Sequence, residues 1–176
     1  MKVELADPES PEAQQLLSSL SQTLQQITGS SGTASFDISD VKVEGACFAI
    51  CRLSTGVPVA CGALRPLQPG VAELKRMFAV PNSKSAGAAV LAFLEQMASE
   101  FGYGELWLET RRVNERAVSF YERHGYHPIP NFGRYTGRAE AICLGKRVSS
   151  VPLPPQPATQ SFHGASYGKP QNDPDA

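Results

Sequence analysis

The chain has 176 residues, 41% of them hydrophobic, which suffices for one folded domain of about 150 residues followed by a tail. Its 16 Lys and Arg residues nearly balance 17 Asp and Glu residues, so no basic field favours nucleic acid or an anionic membrane surface as a partner. No stretch approaches the roughly 20 apolar residues of a membrane span, and the N-terminus has no apolar signal core. We therefore expect a cytoplasmic protein that acts on a small molecule or another protein.

The N-terminal part predicts one strand and one amphipathic helix. Residues 2–6 alternate between polar and apolar side chains, as a half-buried strand does. A helix is expected from Asp7 and Pro11 to Gly29, because apolar residues recur there at helical spacing. Those residues are Leu16, Leu17, Leu20, Leu24 and Ile27. After a loop, residues 36–41 predict a short helical turn.

An antiparallel meander of three strands is predicted next. The apolar runs 45–53 and 57–64 flank Ser54-Thr-Gly56, which is typical of a hairpin turn. The third run, residues 71–80, follows Gln68-Pro-Gly70. The three strands would form the centre of a sheet.

The second half of the chain predicts helices that alternate with strands. A helix over about residues 84–101 crosses to a strand at 105–110, which we expect to lie parallel to the third strand of the meander. Another helix is expected at about 114–124, and the final strands near 126–128 and 140–146.

Residues 148–176 are rich in proline and poor in aliphatic side chains. Such a composition cannot build a core, so we expect an extended or disordered tail. A docking or regulatory role is the alternative to a passive one. We place the folded domain at residues 1–147.

The cysteines indicate neither a metal centre nor a redox site. They are Cys47, Cys51, Cys61 and Cys143. All four lie in segments predicted to be buried strands, without the spacings of zinc or redox motifs. We expect reduced, structural thiols and no metal.

Residues 80–89 predict a loop that leads into a helix whose first turn contains small residues. The sequence there is Val-Pro-Asn-Ser-Lys-Ser-Ala-Gly-Ala-Ala. Small side chains at a helix start let an anionic ligand approach backbone N–H groups that have no partner inside the helix, and the helix dipole favours its charge. A pyrophosphate fits such a site. Close packing against a strand is the alternative, and it is favoured when this segment is taken alone.

A second segment, Asn114-Glu-Arg-Ala117-Val-Ser-Phe120-Tyr121-Glu-Arg-His-Gly125-Tyr126, follows further along the chain. In order and separation, the two segments resemble motifs of the GNAT superfamily of acetyl-coenzyme A-dependent N-acetyltransferases. The first is similar to the pattern Arg/Gln-x-x-Gly-x-Gly/Ala, as Lys84-x-x-Gly87-x-Ala89. The second is similar to Asn-x-x-Ala-x-x-Φ-Tyr-x-x-x-Gly-Phe/Tyr, where Φ is apolar.

The resemblance implies a fold and a reaction. The fold would be mixed α/β (α+β), with a mostly antiparallel sheet of about seven strands that is splayed between strands four and five and flanked by about four helices. The reaction would be transfer of the acetyl group of acetyl-coenzyme A to a primary amine. The amine would attack directly in a ternary complex, without an acyl-enzyme.

By the same resemblance, the third strand of the meander would bind the pantetheine arm of the cofactor through its backbone, like an added strand. The Phe78 N–H would polarise the thioester. The implied cofactor-binding residues are Met77, Phe78, Ala79, Val80, Lys84, Ser85, Ala86, Gly87, Ala88, Ala89, Asn114 and Tyr121. Lys84 replaces the usual Arg or Gln, and Ser85 stands where the backbone often needs glycine. Both departures would act on cofactor affinity.

Two residues would carry the proton transfers. Tyr121 stands where the family places a tyrosine that protonates the leaving thiolate, which a phenol can do while un-ionised at neutral pH. A tyrosine on an apolar helix face with a satisfied hydroxyl is the alternative. Glu73 would deprotonate the acceptor ammonium through water, and a solvated charge at a strand end is its alternative. Asn114 would cap its helix and contact the coenzyme A arm.

The acceptor side is implied less specifically. Glu109 ends the neighbouring strand and is a second candidate carboxylate at the acceptor amine. Tyr135 would line the acceptor pocket, with a loop-anchoring role as its alternative. Arginines that would flank the opening and bind a substrate carboxylate are Arg76, Arg111, Arg112 and Arg134.

The C-terminal pattern favours a small acceptor. Phe132-Gly-Arg-Tyr135 and Cys143-Leu-Gly-Lys146 are similar to the ending of a small-molecule GNAT subgroup, which implies a small amine or an amino acid. Two rivals remain open. One is a catalytically weak acyl-coenzyme A sensor, motivated by the departures at Lys84 and Ser85, and the other is an enzyme for protein amines recruited through the proline-rich tail. Family members are often dimers, so a homodimer is a further expectation.

Overall fold

The computed structural model describes residues 1–148, and within them seven strands form a single sheet. The strands are β1 (Lys2–Leu5), β2 (Cys47–Arg52), β3 (Pro58–Gln68), β4 (Val71–Ala79), β5 (Glu105–Arg111), β6 (His127–Ile129) and β7 (Ala141–Arg147). Their spatial order is β1, β2, β3, β4, β5, β7, β6. The predicted mixed sheet is confirmed. The predicted tail, residues 148–176, lies outside the described residues except for Val148.

Neighbouring strands are antiparallel except for β4 and β5, which are parallel. The predicted meander is therefore present as β2, β3 and β4, and its parallel partner is β5. The prediction ended β3 too early, because the strand continues past Leu64 to Gln68. Pro66 hid this extension, since proline cannot donate to the strand ladder. The structure accommodates it beside a register shift between Pro66 and Gln68.

The sheet opens between β4 and β5. In residues 1–148 these strands pair only at Val71–Glu105, Ala72–Leu106 and Glu73–Trp107. Beyond these pairs β4 continues to Ala79 and β5 to Arg111. We call the gap between the two continuations the cleft. It confirms the predicted splay, and it leaves one edge of β4 without a partner strand.

Within the described chain three α-helices flank the sheet, fewer than the roughly four expected. They are α1 (Pro11–Thr28), α2 (Ala86–Glu100) and α3 (Glu115–Arg123). Helix α1 has its predicted ends. Ser10 caps it by accepting the Ala13 N–H at 3.3 Å, and Gly29 ends it with φ of 73°. Three 3₁₀ turns, Thr33–Ser35, Ile38–Val41 and Gly133–Tyr135, complete the helical structure, and the second lies within the turn predicted at 36–41.

The two faces of the sheet carry different cores. On the face covered by α2 and α3, here the α2 face, apolar side chains such as Leu94, Leu106 and Tyr126 pack together. On the opposite face, here the α1 face, α1 packs through residues such as Leu16 against Ile50 of β2.

Alternation along β4 assigns its charged residues to the α1 face. Leu74 belongs to the core of the α2 face. Because successive side chains of a strand point to opposite sides, Glu73 and Lys75 project from the α1 face. Both are buried there.

All four cysteines are buried free thiols in the described chain, as predicted. Burial raises the pKa of the Cys47 and Cys61 thiols to about 12, which leaves them protonated and poorly nucleophilic at neutral pH. Within residues 1–148 no cluster of three or more His, Cys, Asp or Glu side chains is arranged to hold a metal ion. None of the helices in that part of the chain combines the length and the apolar character needed to cross a membrane.

Candidate active site

An extra residue in β4 reshapes the strand beside the cleft. Between the pairs Ala63–Lys75 and Cys61–Phe78, β4 contains one residue more than β3. Arg76 lies in this bulge with φ of 53°, in the left-handed region. As a result both Lys75 and Arg76 contact groups on the α1 face.

Beyond the bulge, β4 directs free backbone donors into the cleft. Val80 donates its N–H to the Val59 carbonyl at 2.8 Å, toward β3. Alternate residues of an extended strand turn their N–H groups to the same side, so the Phe78 N–H also faces β3. The N–H groups of Met77 and Ala79 consequently face the cleft.

Two expected cofactor contacts are corrected by this geometry. The Phe78 N–H is turned away from the cleft, and the Met77 N–H stands in its place. Val80 offers no free backbone group, because its N–H is used in β3 and its carbonyl accepts the Ser83 N–H at 3.1 Å and Oγ at 2.6 Å. An inserted residue shifts which N–H groups point outward, and residue spacing alone does not reveal the insertion.

The loop before α2 ends in free backbone donors. Ser85 precedes the helix with φ of 65°, a conformation that favours glycine. The Ala86 and Ala89 N–H groups donate within the loop and first turn, at 3.0 and 2.9 Å. In the described chain the N–H groups of Gly87 and Ala88 have no acceptor. These two donors, at the positive end of the α2 dipole, are what an anion would meet.

The start of α2, the end of β4 and helix α3 meet at Gly87. A Cβ at this position would lie 3.5 Å from the Ala79 Cβ and 3.8 Å from the Phe120 ring, which is ordinary contact. Lys84, one residue before Ser85, is exposed. The predicted cofactor-binding segments thus converge on one place.

Tyr121 lies in the core of the α2 face. It is 7% exposed, and its ring packs 5.2 Å from Phe120 and 5.6 Å from Tyr126 between centroids. Within residues 1–148 its hydroxyl makes no hydrogen bond. Tyr121 thus lies on an apolar helix face, as the alternative expects, but no group of the described chain satisfies its hydroxyl. Burial raises the pKa of the Tyr121 phenol, so it stays protonated at neutral pH.

Asn114 caps α3, as predicted. Its Oδ1 accepts the Ala117 N–H at 3.3 Å. The cap satisfies one of the free donors of the first turn and fixes where α3 begins. Its contact with coenzyme A stays a prediction.

A group of charged and polar side chains, here the ion cluster, lies on the α1 face where the cleft begins, and its centre is buried. Its members are Asp40, Arg65, Glu73, Lys75 and Tyr135. Glu73 is only 1% exposed, so its predicted alternative as a solvated strand end is wrong. Arg65 donates to Glu73 Oε2 from Nε at 2.9 Å and Nη2 at 2.7 Å, and it also pairs with Asp40. The Tyr135 hydroxyl donates to Glu73 Oε1 at 3.4 Å, and Lys75 Nζ lies 3.6 Å from the same oxygen.

Lys75 and Tyr135 are held inside the ion cluster. Lys75 Nζ donates to the Tyr135 hydroxyl at 2.8 Å and to Ser35 Oγ at 3.2 Å. Burial lowers the pKa of Lys75, and the charge of Glu73 opposes the shift. Burial likewise raises the pKa of Tyr135. Tyr135 is 5% exposed, so in this structure it anchors the cluster more than it lines an open pocket.

Glu109 lies on β5 beyond the last pair with β4, so it borders the cleft. Leu108 belongs to the core of the α2 face, which directs Glu109 to the α1 face. The side chain is half-buried. Burial raises the pKa of Glu109, and the charges of Lys75 and Arg111 oppose the shift. Its carboxylate has neither a hydrogen bond nor a salt bridge within the described residues.

A model of the acetyltransferase (GNAT) family matches residues 14–126 of the chain. The chain belongs to the GNAT family. The recognition made from the two motifs is thereby confirmed, and the motif at residues 114–126 falls at the end of the matched region.

Relatives and structural neighbours of this GNAT chain agree with that assignment. The IAA acetyltransferase of Azospirillum brasilense is 32% identical over 91 residues, which cover 50% of this chain and 59% of that protein. The chain thus spans less than two thirds of the length of the curated relatives it matches. An acetyltransferase from Streptococcus agalactiae superposes with a TM-score of 0.69 and 19% identity, over 83% of this chain and 97% of that one. The PaiA N-acetyltransferase of Thermoplasma acidophilum, solved with coenzyme A, gives 0.61 and 15% identity, over 84% and 99%. At these identities the structural likeness is one of fold.

The arginines expected at the acceptor opening of this GNAT chain all have internal partners. The expectation for Arg76 is wrong, because its guanidinium faces α1 and donates to Ser21 Oγ at 2.6 Å and the Leu17 carbonyl at 3.3 Å. The bulge at Arg76 is the cause. Arg111, Arg112 and Arg134 contact a Glu140 oxygen, the Ala139 carbonyl and the Ala34 carbonyl at 3.5, 3.0 and 2.7 Å, respectively.

Sequence reasoning missed Arg65 and Lys75, which hold Glu73. The sequence did contain a signal for Lys75. Lys75 follows Glu73 by two positions in a strand, so both had to share a face. Arg65 is directly opposite Glu73 in the β3–β4 register, but β3 was predicted to end one residue earlier, at Leu64.

Proposed function

We propose that this GNAT protein transfers the acetyl group of acetyl-coenzyme A to a primary amine of a small molecule or an amino acid, by direct attack of the amine. Bound acetyl-coenzyme A would supply the acetyl group as an activated thioester. One observation carries the proposal: free backbone donors run from the outer edge of β4 to the first turn of α2.

The free donors fit an extended ligand that contains amides and ends in a pyrophosphate. Met77 and Ala79 would hydrogen-bond the amide-bearing arm as a partner strand does. Gly87 and Ala88 would hold the pyrophosphate at the start of α2, where the dipole favours negative charge. Lys84 and Ser85 would border the same site. That the PaiA neighbour was solved with coenzyme A agrees with this fit.

Tyr121 is suited to protonate a leaving thiolate. Its pKa is raised by burial, so the proton is present at neutral pH. Its hydroxyl has no hydrogen-bond partner among the described residues, which leaves it available to a ligand atom. The Met77 N–H would stabilise the oxyanion that develops on the carbonyl during attack.

The α1 face supports a small acceptor. Residues 31–36, here the strap, cross this face and are fixed by cations of three different residues. Arg76, Lys75 and Arg134 donate to the Ser31 carbonyl, Ser35 Oγ and the Ala34 carbonyl at 3.2, 3.2 and 2.7 Å, respectively. A polypeptide acceptor needs an open groove, so a strap fixed at the ion cluster favours a compact amine over a polypeptide.

The first experiment is isothermal titration of the full chain with acetyl-coenzyme A, with desulfo-coenzyme A and ATP as comparison ligands. Micromolar binding of acetyl-coenzyme A without comparable binding of ATP is the expected result. Thiol release is then measured with a panel of small amines and amino acids. Absence of binding would overturn the proposal.

The same assays separate the two rivals. A sensor predicts binding that survives Tyr121→Phe and no thiol release with any amine. An enzyme for protein amines predicts that deletion of residues 148–176 abolishes activity on protein but spares small amines. Turnover of a small amine would exclude the sensor, and activity on protein that survives the deletion would exclude recruitment through the tail.

A further inference from the structure

We infer that Glu109, and not Glu73, accepts the proton from the acceptor ammonium, and that Glu73 is a positioning residue. The inference rests on the proposed function and deepens it. By motif alone, Glu73 would be the base. The contacts of the two carboxylates point the other way.

Glu73 has no free oxygen with which to meet a substrate. Arg65 occupies Oε2 with two donors, at 2.9 and 2.7 Å, and Oε1 faces the Tyr135 hydroxyl and the Lys75 ammonium. With 1% of the residue exposed, water has almost no access to it. A general base must reach the proton it takes directly or through one water, and a carboxylate bound by two cations has its negative charge stabilised. Glu73 therefore serves to hold Arg65, Lys75 and Tyr135 in place.

Glu109 has the properties that Glu73 lacks. Its carboxylate is half-buried and has no hydrogen bond or salt bridge within residues 1–148. It follows the last β4–β5 pair, Glu73–Trp107, by two positions, so it projects from the α1 face where the cleft has opened. Charged and titratable groups from every neighbouring element face it: Lys75 and Glu73 of β4, Arg111 of β5, Tyr135 and Arg138 before β7, and Cys143 of β7.

The proton transfer balances in simple terms. The Glu109 carboxylate takes one proton from the acceptor ammonium, which frees the nitrogen lone pair. The nitrogen forms a bond to the acetyl carbon, the carbon–sulfur bond breaks, and the sulfur takes a proton from Tyr121. Tyr121 regains its proton from the nitrogen that has been acylated, and Glu109 releases the remaining proton to solvent. Partial burial, which raises the pKa of Glu109, brings it nearer the working pH of a base.

The decisive variants are Glu109→Gln and Glu73→Gln, compared by kcat/KM between about pH 5 and 9. For the wild type, kcat/KM should rise with pH as the base loses its proton. We expect Glu109→Gln to lose this rise and to lose about a hundred-fold or more in kcat/KM. Its KM for acetyl-coenzyme A should be unchanged. Glu73→Gln should lower the melting temperature and keep that rise. Loss of the rise in Glu73→Gln, together with near-normal activity of Glu109→Gln, would overturn the inference.

A titration that needs no turnover keeps the inference testable if the transferase assay fails. Wild-type chain labelled with ¹³C at the glutamate carboxyl carbons is titrated by NMR, and Glu109→Gln identifies one resonance. The expected result is that Glu109 titrates at higher pH than the exposed glutamates. If Glu109 titrates with the exposed glutamates, the inference fails whatever the transferase assay gives.

The pH dependence of folding stability provides an independent test of the role of Glu109. The raised pKa means that the folded chain binds the Glu109 proton more tightly than the unfolded chain does, so stability falls as pH rises from the unfolded to the folded pKa. Glu109→Gln has no carboxyl group to titrate, so its stability should not fall in this pH range. Its melting temperature above that pH window should exceed that of the wild type, whereas an unchanged or lower value would indicate a structural role.

Discussion

The two faces of the sheet beside the cleft bury polar groups in opposite ways. On the α2 face, Tyr121 sits among apolar side chains and its hydroxyl has no partner in the described residues. On the α1 face, Glu73 is equally buried but each oxygen is engaged. A neutral phenol can be buried at modest cost without a partner, whereas a carboxylate cannot. Burial on the α2 face thus keeps a proton on an acid, whereas the ion cluster on the α1 face supplies cations and hydrogen bonds to a buried carboxylate.

The bulge at Arg76 is what allows one strand to serve both faces. Before it, Lys75 joins the ion cluster, and after it Met77 enters the core of the α2 face while its N–H points into the cleft. In a regular strand, without the bulge, the Arg76 side chain would lie on the α2 face, where Met77 lies now. A single inserted residue thus separates the charged half of the site from the apolar half.

The largest effect should come from removing Arg65, one of the two cations of the ion cluster. Arg65→Met leaves Glu73 buried without its strongest partner, which is expected to cost about 3–5 kcal/mol of the free energy of unfolding. Urea denaturation measures the loss. The double variant Arg65→Met/Glu73→Leu removes the uncompensated charge as well and should recover much of it.

Arg52→Met is the matched control. Arg52 also contacts two carboxylates, Glu4 and Glu12, but their side chains are 36% and 46% exposed. Exposed pairs contribute little, so the expected loss of stability is much smaller than for Arg65→Met. Equal losses for Arg52→Met and Arg65→Met would show that the burial of Glu73 is not what makes its cation important.

The next largest effect concerns the α2 face. Tyr121→Phe should reduce kcat by about a hundred-fold or more, while the free energy of unfolding stays unchanged or rises slightly, because the lost hydroxyl has no partner. Tyr126→Phe is the control, and the opposite result is expected for it. Its hydroxyl donates to Glu95 at 3.1 Å, so that variant should lose about 1 kcal/mol of stability and little kcat. A stability loss in Tyr121→Phe with full activity would disprove the assigned role.

Much of this organisation was predictable from the sequence, and the rest failed for physical reasons. Strong periodicity and turn residues located α1, the meander and the crossover to β5, and the motif at residues 114–126 placed Tyr121. Local patterns could not reveal the bulge at Arg76 or the extension of β3 through Pro66, since both depend on strand register. Two contacts of Glu73 could not be predicted for the same kind of reason. Its pairing with Arg65 depends on the β3–β4 register, and its hydrogen bond with Tyr135 joins residues 62 positions apart.

A smaller effect tests the start of α3, which carries Tyr121. Asn114→Ala removes the cap on the Ala117 N–H and should lower the free energy of unfolding by about 1 kcal/mol. Asn114→Asp restores a capping oxygen and should recover that loss. If Asn114 also contacts coenzyme A, as expected, Asn114→Asp will still bind acetyl-coenzyme A more weakly than wild type by titration. Full recovery of affinity would limit Asn114 to capping.

The smallest effect is expected at the loop before α2. Ser85 has φ of 65°, which glycine adopts without the steric cost that a Cβ incurs. Ser85→Gly should therefore raise the free energy of unfolding by up to about 1 kcal/mol, reduced by the greater freedom of glycine in the unfolded chain. Ser83, in the same loop, does not have positive φ, so Ser83→Gly should be destabilising. If the left-handed backbone conformation at residue 85 holds the Gly87 and Ala88 donors in place, Ser85→Gly will keep acetyl-coenzyme A affinity, because glycine adopts the same conformation. A several-fold tighter binding would instead mean that serine limits the approach of the pyrophosphate, and would explain the departure of this loop from its family pattern as a restraint on affinity.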